Sequence, residues 1–219
     1  MNKIPLFPLQ LVLFPSEAMP LHIFENRYVE MINECLDSGS PFGVVSYINS
    51  SVSKIGCLAT IDEVSKRYED GRFDIRCTGT DRFMILGFDT SKSYLQGSVT
   101  FLEDKEELDS DETSRLLKRL QRQFNHIVDL MGNKINTEKL GTPTNAFDFA
   151  HYVGFDLAQK QNMLEIRSES ERLHFIQDQL DSVLPKLQAF EDVKNRIRAN
   201  GHFREFPPID FNIEPNDGE

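Results

Sequence analysis

Four of the chain's ten prolines, Pro5, Pro8, Pro15 and Pro20, fall within the first twenty residues, set among large apolar side chains. A free N-terminal tail tends to be polar and loosely held, and this opening is neither. Proline donates no backbone hydrogen bond and fixes its own φ. The runs Ile4–Leu9, Leu11–Phe14 and Leu21–Phe24 therefore read as short extended pieces, each stopped before it runs deep into a sheet. The period then changes. Tyr28, Met31, Ile32, Cys35 and Leu36 recur on one helical face, with Glu30, Asn33, Glu34 and Asp37 on the other. Gly39 stands where that helix would stop, and Phe42–Ile48 reads as the next strand.

Residues 42–102 read mainly as strand. Phe73–Cys77 alternates apolar and polar, and Asp70-Gly71 before it suits a tight hairpin turn after the strand around Leu58–Ser65. Gly79 punctuates the next step, ahead of apolar runs over Arg82–Phe88 and Tyr94–Leu102. Short strands with regular turn signals favour an antiparallel sheet closed into a small barrel. Seven acidic residues crowd residues 103–112 around a single Lys105, which reads as a solvated linker with acidic side chains at the positive end of the next helix.

Beyond the linker the period is helical. Leu116, Leu117, Leu120, Phe124, Ile127, Val128 and Met131 form one stripe, ended by Gly132-Asn133. A second helix is expected over Asn145–Val153 and a short one after Asp156, a good N-cap. Ser168-Glu169-Ser170-Glu171 has capping-box spacing and starts the longest helix. Pro185 lies inside that helix, where a kink or break is expected, and Asn200-Gly201 closes the bundle. The fold class is thus α+β, with units 1–104 (β-rich), 105–201 (helical) and an acidic, Pro- and Phe-containing tail 202–219 that reads as extended or mobile.

The chain has 219 residues and 39% hydrophobic content, enough to bury a core without metals or disulfides. Seventeen Phe and no Trp make phenylalanine the main bulky core material. The net charge of −11 is shared by both halves: nine Lys/Arg against twelve Asp/Glu in 1–100, fifteen against twenty-three in 101–219. Proteins that grip phosphate backbones carry a basic face, so nucleic acid is a poor fit. Cys35, Cys57 and Cys77 are odd in number, form no C-x-x-C pair and lie on apolar-patterned segments; buried free thiols in a reducing compartment are expected. With no secretory signal pattern and no apolar run of membrane length, the reading is a cytoplasmic protein that does not enter a membrane.

The ordered set Ile4-Pro5-Leu6-Phe7-Pro8-Leu9, Leu13-Phe14-Pro15, Pro20 through Tyr28, Ile55-Gly56-Cys57, Asp70-Gly71-Arg72 and Thr78-Gly79-Thr80-Asp81-Arg82-Phe83 resembles the substrate-binding domain of the ATP-dependent protease Lon. Lys160-Gln161, Leu164-Glu165 and Arg172-Leu173 resemble that domain's helical half, and the resemblance spans roughly residues 3–195. It implies a six-stranded antiparallel, PUA-like pseudobarrel with one helix packed across it, followed by a helical bundle with a long kinked last helix. The Lon-like domain of cereblon is similar, but cereblon's ligand pocket lies in a separate zinc-bearing domain with no counterpart here.

The sequence offers no chemistry of its own. There is no G-x-x-x-x-G-K-[ST] loop, no H-E-x-x-H and no G-x-S-x-G elbow, and the five histidines stand far apart. No cofactor, metal or catalytic residue is expected. The resemblance implies non-catalytic binding of exposed or unfolded polypeptide, as a recognition or adaptor module in protein quality control that partners a protease or chaperone. A Phe-rich cleft between the two halves is the natural place for it, with Phe14, Met19, Phe24, Arg27 and Tyr28 as candidate lining residues. Each also has an architectural reading, Arg27 and Tyr28 as a helix-start pair above all. Two other classes stay open: a PUA-like nucleic-acid or nucleotide-derivative binder, and a small hydrolase whose site assembles from scattered residues. Asp81-Arg82 is expected as a corner ion pair and Phe83 as core. His22 is expected to be a satisfied strand histidine, and Lys160, Gln161 and Glu165 to staple the short helix to its neighbour.

Overall fold

The computed structural model describes residues 2–106, 110–131 and 142–199. Six strands come first: β1 (Asn2–Leu9), β2 (Ala18–Ile23), β3 (Phe42–Ile48), β4 (Ser51–Arg67), β5 (Phe73–Asp89) and β6 (Gln96–Phe101), with helix α1 (Asn26–Ser38) between β2 and β3. Helices α2 (Ser110–Met131), α3 (Leu157–Glu165) and α4 (Glu169–Ala199) follow, with a 3₁₀ turn at Ala146–Phe149. The tail 202–219 and the expected stops at Gly132-Asn133 and Asn200-Gly201 lie outside the described residues.

The proline-rich opening forms two extended pieces, β1 running through Pro5 and Pro8 and β2 through Pro20, with residues 10–17 and Pro15 between them. Asn2–Pro5 pair antiparallel with β6, and Leu6–Leu9 pair parallel with β3. Each half of β1 thus has a ladder to one neighbour, and a residue without an N–H is tolerated on an edge that carries no ladder. The parallel β1–β3 pair corrects the expectation of a wholly antiparallel sheet. β2 and α1 intervene between the two strands and supply the long crossover that parallel neighbours need. Pairing runs β2-β5-β4-β3-β1-β6, and β6 also pairs β5, so the ladder returns to a strand already in it. Three register shifts between β4 and β5 let these two 17-residue strands bend.

Alternation sorts the strand residues onto two faces. Phe7, Val44 and Cys57 join Tyr28, Met31, Ile32 and Cys35 of α1 in one core cluster. Their sequence neighbours Leu6, Val45 and Leu58 join Phe83, Ile85 and Val99 in another. Helix α1 stops where expected: Gly39 adopts the left-handed conformation at φ 64°, and its N–H is bonded to the Cys35 carbonyl. All three cysteines are buried and free.

Gly79 does not separate two strands. β5 runs straight through it, and the β1–β2 connection lies directly on top. The Ser16 N–H donates to the Gly79 carbonyl at 2.8 Å, and the Gly79 N–H donates to the Glu17 carbonyl at 2.8 Å. A Cβ at position 79 would stand 2.1 Å from the Phe14 carbonyl oxygen. This contact steers Val12 and Phe14 out of the sheet and into the helical core, beside Leu120, Phe124, Phe149, Leu173 and Ile176. The two halves therefore share side chains across their junction.

In the helical half, the helix expected over 145–153 is only the 3₁₀ turn. Asn145 Oδ1 accepts from the Phe147 and Asp148 amides while Asp148 reaches back to Thr144 and Asn145, which winds the segment tightly. Asp156 caps α3 in a capping box with Gln159. Helix α4 passes through Pro185 as one assigned helix of 31 residues, so no break occurs there. Its C-terminal half is less enclosed, leaving Phe190 and Val193 exposed. No described helix is long and apolar enough to cross a membrane.

Candidate functional site

The sheet and the helical half meet over an unusual pair of side chains. Arg82 on β5 and Arg172 in the first turns of α4 are only 5% and 2% exposed. Burying a charge is costly unless it is paired and hydrogen-bonded, and both arginines are. Arg82 donates to the Leu164 and Ile166 carbonyls at 2.7 and 2.6 Å and pairs with Asp104. Arg172 donates to both Asp104 carboxylate oxygens (2.9 and 2.5 Å), to Glu169 Oε2 and to the Ile166 carbonyl. One carboxylate thus holds two guanidinium groups, and the open end of α3 is satisfied by side chains from both halves.

Electrostatics follow from this geometry. Burial pulls the Arg82 guanidinium below its ordinary value, although Asp104 opposes that shift. For Arg172 burial pulls the same way, but hydrogen bonds to Asp104 and Glu169 outweigh it and leave the group raised. Asp104 is raised by burial, yet the two arginines more than compensate and hold its carboxyl below the ordinary aspartate value. The Phe147 ring caps the cluster, 4.6 Å from the Arg172 guanidinium carbon and 5.6 Å from that of Arg82. Phe147 in turn stacks on Phe14 at 5.4 Å.

Above this cluster lies an open cleft of about 610 Å³, walled by Pro15, Phe101, Leu102 and Phe147 and rimmed by Asp81 and Glu103. Phe101, at the end of β6, is 49% exposed. Neither the Asp81 nor the Glu103 carboxylate has a hydrogen bond or ion pair to a described residue. The linker wall is fixed: Arg167 Nε donates to the Glu103 carbonyl and the Lys105 N–H to the Arg167 carbonyl, both at 2.8 Å. The result is a cleft with apolar lining at Pro15, Phe101, Leu102 and Phe147, polar lining at Thr80, Arg82 and Asp104, and the Asp81 and Glu103 carboxylates without a partner among the described residues.

The five residues singled out from sequence do not gather here. Phe14 is fully buried in the helical core, and Met19 and Tyr28 are buried between sheet and α1. None of these three lines the junction cleft, and of them Met19 borders a second cavity. Phe24 is 60% exposed and stacks on His22 at 5.9 Å. Arg27 is exposed, paired with Glu25 at 2.7 Å, with its guanidinium over the Tyr28 ring. Other expectations sort similarly. Phe83 is core, and His22 faces solvent, bonded to Asp74 at 2.5 Å. Gln161 does tie α3 to the sheet, donating to the Ile55 carbonyl at 3.1 Å and to Glu165. Asp81 is not the partner of Arg82; adjacent strand residues point to opposite faces, and that alternation was the signal available. Asp104, assigned from sequence to a solvated linker, is the true partner.

The cysteines offer no reactive group. Desolvation pushes the thiol of Cys35 up to about 11 and those of Cys57 and Cys77 up to about 12. Among the described residues, no three His, Cys, Asp or Glu side chains gather to hold a metal.

Comparison with known proteins agrees with this architecture. The chain is 24% identical over 213 residues to Lon protease of Escherichia coli K12, and 24% over 214 residues to Lon protease 1 of Bdellovibrio bacteriovorus. In each case the match takes in 90% of this chain but 27% of the relative, so the chain spans about a quarter of their length. Among solved structures, the Lon N-terminal domain protein from Xanthomonas campestris superposes with a TM-score of 0.62 at 24% identity, covering 80% of this chain and 96% of that one. The N-terminal domain of Mycobacterium avium complex Lon protease gives 0.60 at 19% identity, covering 82% and 98%. The family model for the ATP-dependent protease La (Lon) substrate-binding domain matches residues 3–182, and the chain belongs to that family.

Proposed function

We propose that this chain is a non-catalytic recognition module that binds exposed or unfolded polypeptide segments in the cytoplasm, on behalf of a protease or chaperone. The observation that carries the reading is the family match across 180 of its residues, 3–182, which takes in both halves and the junction between them. The ring of strand pairings supports the same architecture, which we read as a pseudobarrel of the PUA-like type.

The junction cleft is the binding surface in this reading. Its floor of Pro15, Phe101, Leu102 and Phe147 takes an apolar side chain, and Asp81 and Glu103 favour Lys or Arg beside it. Segments that are apolar and basic fit; acidic ones are repelled. The apolar residues of such segments are hidden in native proteins and exposed in unfolded ones. The exposed Phe24 and Arg27 extend the surface available to a long client.

Phe101→Ala is the discriminating variant, because a half-exposed ring is removed with little cost to folding. The expected result, read by fluorescence anisotropy with a labelled apolar-basic peptide, is at least tenfold weaker binding, about 1.4 kcal/mol. An unchanged dissociation constant in that variant would remove the cleft from the account.

A further inference from the structure

A second cavity, of about 350 Å³, opens between the β1–β2 connection and α3. Its walls are Leu11, Val12, Met19 and Leu157, and its polar groups are Gln10, Glu17, His151 and Lys160. Leu157 and Lys160 are three residues apart on α3 and share a face. The cavity is at the small end of ligand-sized clefts, roughly 300–1,000 Å³, with room for one or two side chains.

Of the charged and ring groups, Glu17 and His151 are already committed to each other. Glu17 Oε2 accepts from the Phe14 N–H at 2.8 Å, and Glu17 Oε1 stands 3.0 Å from His151 Nε2. The His151 ring meets the edge of Phe14 at 5.5 Å, which fixes the pair in place. Lys160 is left over. It lies half-buried in the cavity wall, and its ammonium makes no hydrogen bond or ion pair with any described residue. An ammonium beside an apolar wall calls for an anion carried on an apolar group.

We propose that this cavity holds the C-terminal residue of a bound polypeptide, its α-carboxylate on Lys160 and its aliphatic side chain against Leu11, Val12, Met19 and Leu157. The shared chemistry is an aliphatic group bearing a free carboxylate. Inside a polypeptide the only carboxylates are on Asp and Glu, whose side chains are polar and suit these walls poorly. At a C-terminus an apolar side chain and a carboxylate belong to one residue. The inference rests on the reading that the chain binds polypeptide, but it needs neither Phe101 nor the junction cleft.

The test is a titration of the whole chain with fluorescein-Ser-Gly-Ser-Ala-Leu as the free acid, as the C-terminal amide, and against N-acetyl-leucine as a small carboxylate. The expected result is binding of the free acid at least tenfold tighter than of the amide. Lys160→Gln abolishes that difference and Lys160→Arg retains it, both melting at the wild-type temperature. Equal binding of acid and amide, or a difference unaltered in Lys160→Gln, overturns the proposal. N-acetyl-leucine binding as tightly as the peptide also overturns it, by assigning the cavity to a small carboxylate. An unfolded client with an amidated C-terminus separates the two claims. If it still binds through the cleft while acid and amide peptides are not distinguished, the general function stands and this inference fails.

Discussion

Single residues decide how firmly the two halves are joined. Asp104 serves two buried arginines, so Asp104→Asn leaves Arg82 without its carboxylate and Arg172 with Glu169 alone. Breaking a fully buried pair costs about 3–5 kcal/mol. Solvent reaches nearly half of the Asp104 side chain, which screens the interaction, so a loss of about 2 kcal/mol is expected by urea denaturation. The same carboxylate sets a pH response. Its folded pKa lies below the unfolded value of about 3.9. Its contribution is therefore present in full above that value and is lost as pH falls through the lower folded one. Wild-type stability should fall in that acid window by more than the Asp104→Asn variant's does; equal acid sensitivity in the two would contradict the role given to Asp104. Gly79 acts by contact, not by conformation. Gly79→Ala drives a methyl into the Phe14 backbone, and overpacking of this kind costs about 1–3 kcal/mol. Thermal melting should show the loss, and an unchanged melting temperature would mean the connection over Gly79 yields easily.

At the scale of elements, α3 is where capping matters most. It is nine residues long, too short to be stable alone, yet it carries Gln161 to the sheet, ends in the two carbonyl groups bonded to Arg82, and presents Leu157 and Lys160 to the second cavity. Asp156 Oδ1 accepts from the Gln159 N–H at 2.7 Å. Asp156→Ala should cost about 1 kcal/mol and raise hydrogen exchange along α3 before the sheet is affected; exchange unchanged in α3 would show that tertiary packing alone orients it. Helix α4 meets its proline differently. Pro185 leaves the Asp181 carbonyl without its helical donor, but Asp181 is exposed to water, so the helix continues through a lost bond that solvent replaces.

For the whole molecule, the periodic signals were legible. The α1 stripe, the Asp70-Gly71 turn, the α2 stripe and the Asp156 cap all lie where their spacing puts them, because each is set by residues close in sequence. The opening is indeed split into β1 and β2, but that β1 runs through Pro5 and Pro8 was not readable: whether a strand survives a proline depends on which edge is paired, and that is decided by β3 and β6, some forty and ninety residues away. Phe14 misled for the same reason. An apolar residue before a proline looks the same whether it lines a surface or is pulled into a core by a carbonyl lying on Gly79. Asp104 was lost in a run of like charges whose composition describes a linker, although one member is a keystone. Of the site, only the residue types were readable; Phe101, Phe147 and the paired arginines come together through tertiary structure alone.

The most direct measurement of the central claim is an equilibrium titration of this chain with one fluorescently labelled protein in two forms, native and permanently unfolded by reduction and carboxymethylation. Saturable micromolar binding to the unfolded form, absent with the native form and weakened at least tenfold by Phe101→Ala, is the expected result. Failure of the unfolded form to saturate at micromolar concentration, or equal binding of both forms, would contradict the account.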